Sequence, residues 1–212
     1  ARNPQLINNT GIDVAMFDID NTGNAIINNG DQNTNFRYGT TSDTYSIFAI
    51  AMAIDAYVPE TEGVLTTTTI NNLPAVAPFE VLPGQDAGFS IDIRNLGTEA
   101  INNYKVIVPV PYNASYVPGS ASGTLYYTTP NTTITGSFDP SLGSTGSIVW
   151  DFGTLPLPVN PSVLLAKLTF KLKATTDCAI LNNASCASTI AITGNSIGKG
   201  NTTNVDLRNS NL

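Results

Sequence analysis

Carboxylates are the main catalytic groups this chain can offer, because its 212 residues include no histidine. That absence excludes Ser-His-Asp and Cys-His nucleophile systems, histidine acid–base work and histidine-ligated zinc or copper. Two acidic groupings remain. The first is Phe17-Asp18-Ile19-Asp20-Asn21-Thr22-Gly23-Asn24, followed by Asn29, Gly30 and Asp31. Calcium takes about six to eight hard oxygens, and D-x-D-x-x-G supplies carboxylates, a side-chain oxygen and a sharp turn. Asp18, Asp20 and Asp31 are therefore the candidate metal ligands. Asn29 stands where such a loop would place a bidentate Glu, and an Asp/Asn/Gly turn between strands accounts for the same residues without an ion. The expectation is no cofactor, with calcium as the open alternative. The second grouping is Asp55, Glu60 and Glu62. Glycoside hydrolysis needs two carboxylates roughly 5–9.5 Å apart across a cleft. No tryptophan lies near these three for sugar stacking, and the chain reads as a non-enzyme.

Binding chemistry has more material. Tyr112, Tyr116, Tyr126 and Tyr127 fall close together in a loop-rich stretch from Pro109 to Ser137. Aromatic rings on loops stack on sugars; the same rings also serve as core residues and cross-strand pairs, and both readings stand. Cys178 and Cys186 are the two cysteines. A bridge between them would close a short loop and stabilise it by about 2.5 kcal/mol; two buried thiols are the other reading. Asn8, Asn113, Asn131, Asn183 and Asn201 head glycosylation sequons, which carry meaning in a eukaryotic secretory product and otherwise reflect an Asn/Thr-rich composition.

The elements that must position these residues are strands. Hydrophobic residues make up 42% of the chain and charged residues only 12%, too apolar for disorder and too lightly charged for a typical cytosolic enzyme. The net charge is −7 with only nine Lys and Arg, which argues against nucleic acid and against anionic membrane surfaces as partners. The longest apolar run, Ile47 to Ala56, is about half the length of a membrane span. No signal peptide is expected at Ala1, so the chain reads as a mature product or an excised piece. Period-2 alternation predicts strands at Ile12–Met16, Ile47–Ile54, Phe89–Ile93, Val106–Val110, Ile148–Phe152, Leu168–Leu172 and Ile190–Ile192. Pro109 and Pro111 mark an edge position or the strand's end. Trp150 reads as a plug between two sheets, and Lys167, Lys171 and Lys173 as the solvated face of an exposed strand. The Thr-rich stretch Glu60–Leu73 reads as a linker or a connecting strand. The fold class is all-β, an Ig-like antiparallel β-sandwich preceded by a smaller β unit. The expected division is an N-terminal unit over 1–65, a sandwich over 66–205 and a polar tail over 206–212.

From Val81 onward the order of phrases resembles the conserved-repeat β-sandwich of long bacterial surface proteins. The phrases are Leu82-Pro83-Gly84, Asn95-Leu96-Gly97, Ala114-Ser115-Tyr116-Val117-Pro118-Gly119-Ser120, Ile148-Val149-Trp150-Asp151-Phe152-Gly153-Thr154-Leu155 and Leu168-Thr169-Phe170-Lys171-Leu172-Lys173. With LPLPVNPSVLLAKLTFKLKATTDCAILNNASC, FRYGTTSDTY and IDAYVPE, most of the chain is similar to the SprB-like gliding-motility adhesins of Bacteroidetes. The resemblance implies a cargo of the type IX secretion system on the exterior of the outer membrane. It implies partners in surface polysaccharide, neighbouring copies and the outer-membrane secretion or motility machinery, and it brings no catalytic residues.

These observations lead to the expectation of a secreted, non-enzymatic adhesin or filament module for surface adhesion and gliding motility. A calcium-dependent carbohydrate-binding module is the first alternative. A polymer subunit that donates Ala1–Thr10 or Asn201–Leu212 to a neighbour's sheet edge is the second.

Overall fold

A computed structural model describes residues 16–22, 25–28, 31–41, 46–47, 49–54, 56–182 and 189–207. The chain forms two compact units, Ala1–Ala53 and Ile54–Leu212. The division comes earlier than the expected boundary at 65, which falls inside a strand: Glu60–Leu73 is no linker but mostly the first strand of the second unit.

Every strand named below lies in that second unit. They are β1 (Thr61–Ile70), β2 (Leu73–Pro74), β3 (Asp86–Asn95), β4 (Ile101–Pro109), β5 (Ala114–Tyr116) and β6 (Ser122–Leu125). After them come β7 (Thr132–Thr135), β8 (Ser137–Asp139), β9 (Ser147–Leu155), β10 (Ala166–Ala174) and β11 (Asn195–Gly200). One short helix, α1 (Cys178–Leu181), is capped by the Asp177 carboxylate accepting from the Ala179 amide at 2.8 Å. The larger sheet runs β2-β1-β3-β10-β6-β7, with β5 also on β10, and the smaller runs β11-β4-β9-β8. All pairings are antiparallel.

The inward rows of the two sheets meet in one core, so the second unit is an all-β, Ig-like antiparallel sandwich. Phe89, Ile91 and Ile93 of β3 and Leu168, Phe170 and Leu172 of β10 face Val106 and Val108 of β4 and Ile148 and Trp150 of β9. Trp150 is fully buried, sits edge-on to Phe170 at 5.8 Å, and donates from its indole N–H to the Ser122 carbonyl at 3.2 Å. Its partner across the gap is Gly136, where a Cβ would come within 2.7 Å of the indole. Asn103, with φ of 51°, breaks the β4–β9 register and turns Tyr104 into the core against Phe152.

Three strand expectations change. The described residues between Ile47 and Ala56 belong to no ladder: alternation makes a segment strand-competent, but a strand exists only beside a partner. Ile190 and Ile192 pack against the core from irregular backbone, and the last described strand is instead β11, in a Gly- and Asn-rich stretch. Pro109–Ser137 is not mainly loop, since it carries β5, β6, β7 and the start of β8. Ile12–Ala15 lies outside the described residues.

Candidate functional site

The acidic motif of the first unit folds into local turns. Asp20 accepts from the Thr22 amide at 2.9 Å and the Thr22 hydroxyl at 2.5 Å, and these bonds hold its carboxyl below the ordinary aspartate value. Asp31 accepts from the Asn28 amide at 2.9 Å. Asn21 accepts from the amides of Ile26 and Ile27, each at 2.9 Å. Among the described residues no three acidic or thiol side chains come together as a metal group, so Asp18, Asp20 and Asp31 are not gathered into one. In the second grouping, Glu62 pairs with Arg94 at 3.1 Å, and Asp55 lies outside the described residues.

The four tyrosines separate into two kinds. Tyr116, on β5, stacks on Phe138 at 5.5 Å, and its hydroxyl accepts from the Ala121 amide at 3.2 Å. Tyr127 packs against the core, which pushes its phenol up. Both act as structural residues linking the sheets. Tyr112 and Tyr126 are exposed on loops.

Two of the three lysines in the row are neutralised within their own sheet. Register places Lys167 opposite Asp92 and Lys173 opposite Asp86, and the pairs close at 3.2 and 3.0 Å. Lys171 donates to the Asn72 side chain at 2.8 Å. On the other sheet Lys105 meets Asp151 at 2.8 Å, which lowers that carboxyl, and Lys199 meets Asp206 at 2.7 Å. The outer faces thus carry mostly hydroxyls, amides and ion pairs, with Val64 and Ile197 exposed among them. Cys178 is exposed at the start of α1; Cys186 lies outside the described residues.

A buried carboxylate was not visible to sequence reasoning. Glu99 is only 2% exposed and reaches the C-terminal segment, accepting from the Thr202 amide at 2.7 Å, the Thr203 amide at 3.1 Å and the Thr203 hydroxyl at 2.6 Å. Burial pushes Glu99 up, but these three donors outweigh it and leave the carboxyl below the ordinary glutamate value. The Asn201–Val205 turn, the start of the Asn201–Leu212 tail named as one alternative donor strand, is bonded within its own sandwich, and residues 208–212 lie outside the described residues. The only sequence hint was acidic Glu99 and the Thr-Thr pair, a hundred positions apart.

No protein-family model and no curated protein matches the chain. Among solved structures it is similar to the T6 backbone pilin of serotype M6 Streptococcus pyogenes, described as a modular three-domain structure decorated with variable loops and extensions. Identity is 10% and the TM-score 0.36, over 72% of this chain and 32% of the pilin chain. The chain thus spans about a third of that pilin's length. Among the described residues no helix is long and apolar enough to cross a membrane.

Proposed function

We propose that the chain is a non-enzymatic module of a bacterial cell surface, an adhesin or filament part that works by contact. The observation that carries this reading is the disposition of its ionisable groups. Lys167, Lys173 and Lys105 are each matched to a carboxylate across a strand pair, and Glu99 is closed by three donors, so these groups are spent on structure. The outward sheet faces carry mostly hydroxyls, amides and matched ion pairs, Tyr112 and Tyr126 are exposed on loops, and apolar side chains such as Phe79, Leu82 and Val159 are exposed as well. Such a surface grips neutral polysaccharide by stacking and hydrogen bonding, and weak contacts add through many copies. Export by type IX secretion and service in gliding belong to the same proposal, resting on the SprB-like phrases.

The test is adhesion. Beads coated with the purified chain are expected to bind polysaccharide-coated glass, and Tyr112→Ala/Tyr126→Ala is expected to reduce retention at least severalfold. Turnover of a glycan that disappears on replacing Asp55 or Glu60 would overturn the non-enzymatic reading.

A further inference from the structure

Besides the two-residue β2 and the three-residue β5, the described sandwich has four outer strands, and three are closed to further pairing. β7 is four residues long and β8 three, too short to template a neighbour. β11 is covered by its own chain: Lys199 bridges to Asp206, the Leu207 amide donates to the Gly198 carbonyl at 3.0 Å, and the Gly200 amide to Val205 at 2.8 Å. β1 differs. It runs ten residues, and among the described residues its outer side is engaged only near its C-terminal end, by β2 at Thr69 and Ile70 and by the Ala75 amide donating to the Thr68 carbonyl at 3.0 Å.

The ladder sets the direction of its free groups. Ile93 gives its carbonyl to Leu165 on the β10 side, so its neighbour Arg94 pairs with β1 at Glu62. Antiparallel strands alternate their bonding sides, so Glu62, Val64 and Thr66 lean on β3 and the amides of Gly63, Leu65 and Thr67 face outward. An unblunted edge of this length normally invites another strand.

The same chain contains a strand-competent segment with no described partner. Ile47-Phe48-Ala49-Ile50-Ala51-Met52-Ala53-Ile54 alternates large and small and carries no charge. Its described large residues stand open, Ile50 at 58% and Ile54 at 59% exposure. Its length matches the Thr61–Thr67 edge, which has no partner among the described residues. Its large row would extend the core beside Leu65, which is only partly buried there.

From this complementarity we infer that the β1 edge of one copy takes the Ile47–Ile54 segment of a second copy as an added strand. The contact is heterologous, since each chain gives a different surface, so repetition builds an open filament or a ring. It goes beyond the adhesive reading and stands without it, because no glycan enters the contact.

Sedimentation against concentration tests it with two variants. Gly63→Pro removes an outward amide without losing a ladder bond and spoils the acceptor. Ile50→Asp/Met52→Asp places charge in the row that would meet the core and spoils the donor. The wild-type chain is expected to assemble beyond dimers as concentration rises, and each variant alone to associate at least tenfold more weakly. An equimolar mixture should recover pairing and stop at the heterodimer, since only one intact donor and one intact acceptor remain. Should Gly63→Pro fail to fold, Thr67→Pro removes a second outward amide and serves the same purpose. A wild-type chain that stays monomeric, variants that assemble as the wild type does, or a mixture that fails to pair would each overturn the inference. Binding of glycan-coated beads by a monomeric variant keeps this outcome separate from the adhesive reading.

Discussion

β1 and β11 are the outer strands on one side of the sandwich, joined by the buried hydroxyls of Thr61 and Ser196 at 3.3 Å, yet their edges are treated in opposite ways. Past β11 the chain turns at Asn204, with φ of 56°, and lies back along its own strand, locked by Glu99. Before β1 the chain leaves sideways: the Leu96 and Gly97 amides donate to the Glu60 carbonyl, and Thr98 ties Ala56 and Val58 to the Asn95–Thr98 turn. One edge is sealed by a carboxylate, and the other has, among the described residues, no partner from Thr61 to Thr67. Edge protection is therefore a local property, set by the segments flanking each strand and not by the sheet as a whole.

The largest way to break this contrast is Glu99→Ala. It leaves the Thr202 and Thr203 amides without their acceptor, and should cost about 1–3 kcal/mol, read from urea unfolding. Limited proteolysis should then cut near Asn201–Leu207 and leave β1 intact. Gly97→Ala attacks the other side, since a Cβ there runs into the Val58 carbonyl. A loss of about 1–2 kcal/mol is expected, because backbone cannot step aside.

Acidity sharpens the comparison. The folded Glu99 carboxyl lies below its ordinary value, so its contribution is full above the unfolded glutamate pKa of about 4.3 and fades as pH falls through the lowered folded value. Melting temperature followed down through that acid range should fall more steeply for the wild type than for Glu99→Gln. On the sheet face, Lys167→Ala removes a half-exposed pair with Asp92 and should change stability by no more than about 0.5–1 kcal/mol. The smallest effect is that of a chelator, expected to leave the melting temperature unchanged, because Asp20 and Asp31 already spend oxygens on Thr22 and Asn28.

Much of the sandwich was legible because its central strands carry the whole burial signal. Phe89-x-Ile91-x-Ile93 and Leu168-x-Phe170-x-Leu172 read correctly since both faces are set by neighbours in one sheet and core. The peripheral strands were not legible. β6 and β7 offer one large apolar residue each, Leu125 and Ile134, and β11 only Ile197, so alternation has almost nothing to act on. Ile47–Ile54 failed in the opposite sense, with a strong pattern and no described partner. Of the candidate site, the separation of Tyr112 and Tyr126 from Tyr116 and Tyr127 depends on which rings the two sheets enclose, and spacing in sequence does not encode that. Glu99 escaped notice because its donors come from residues a hundred positions away.

Amide hydrogen exchange resolved to single residues tests the open edge most directly. In dilute protein the Gly63, Leu65 and Thr67 amides should exchange much faster than the Gly200 amide, which is bonded to Val205. Raising the concentration should slow the three β1 amides and leave Gly200 as it was. Slow exchange at Gly63, Leu65 and Thr67 already in dilute monomer, or rates indifferent to concentration, would contradict the account.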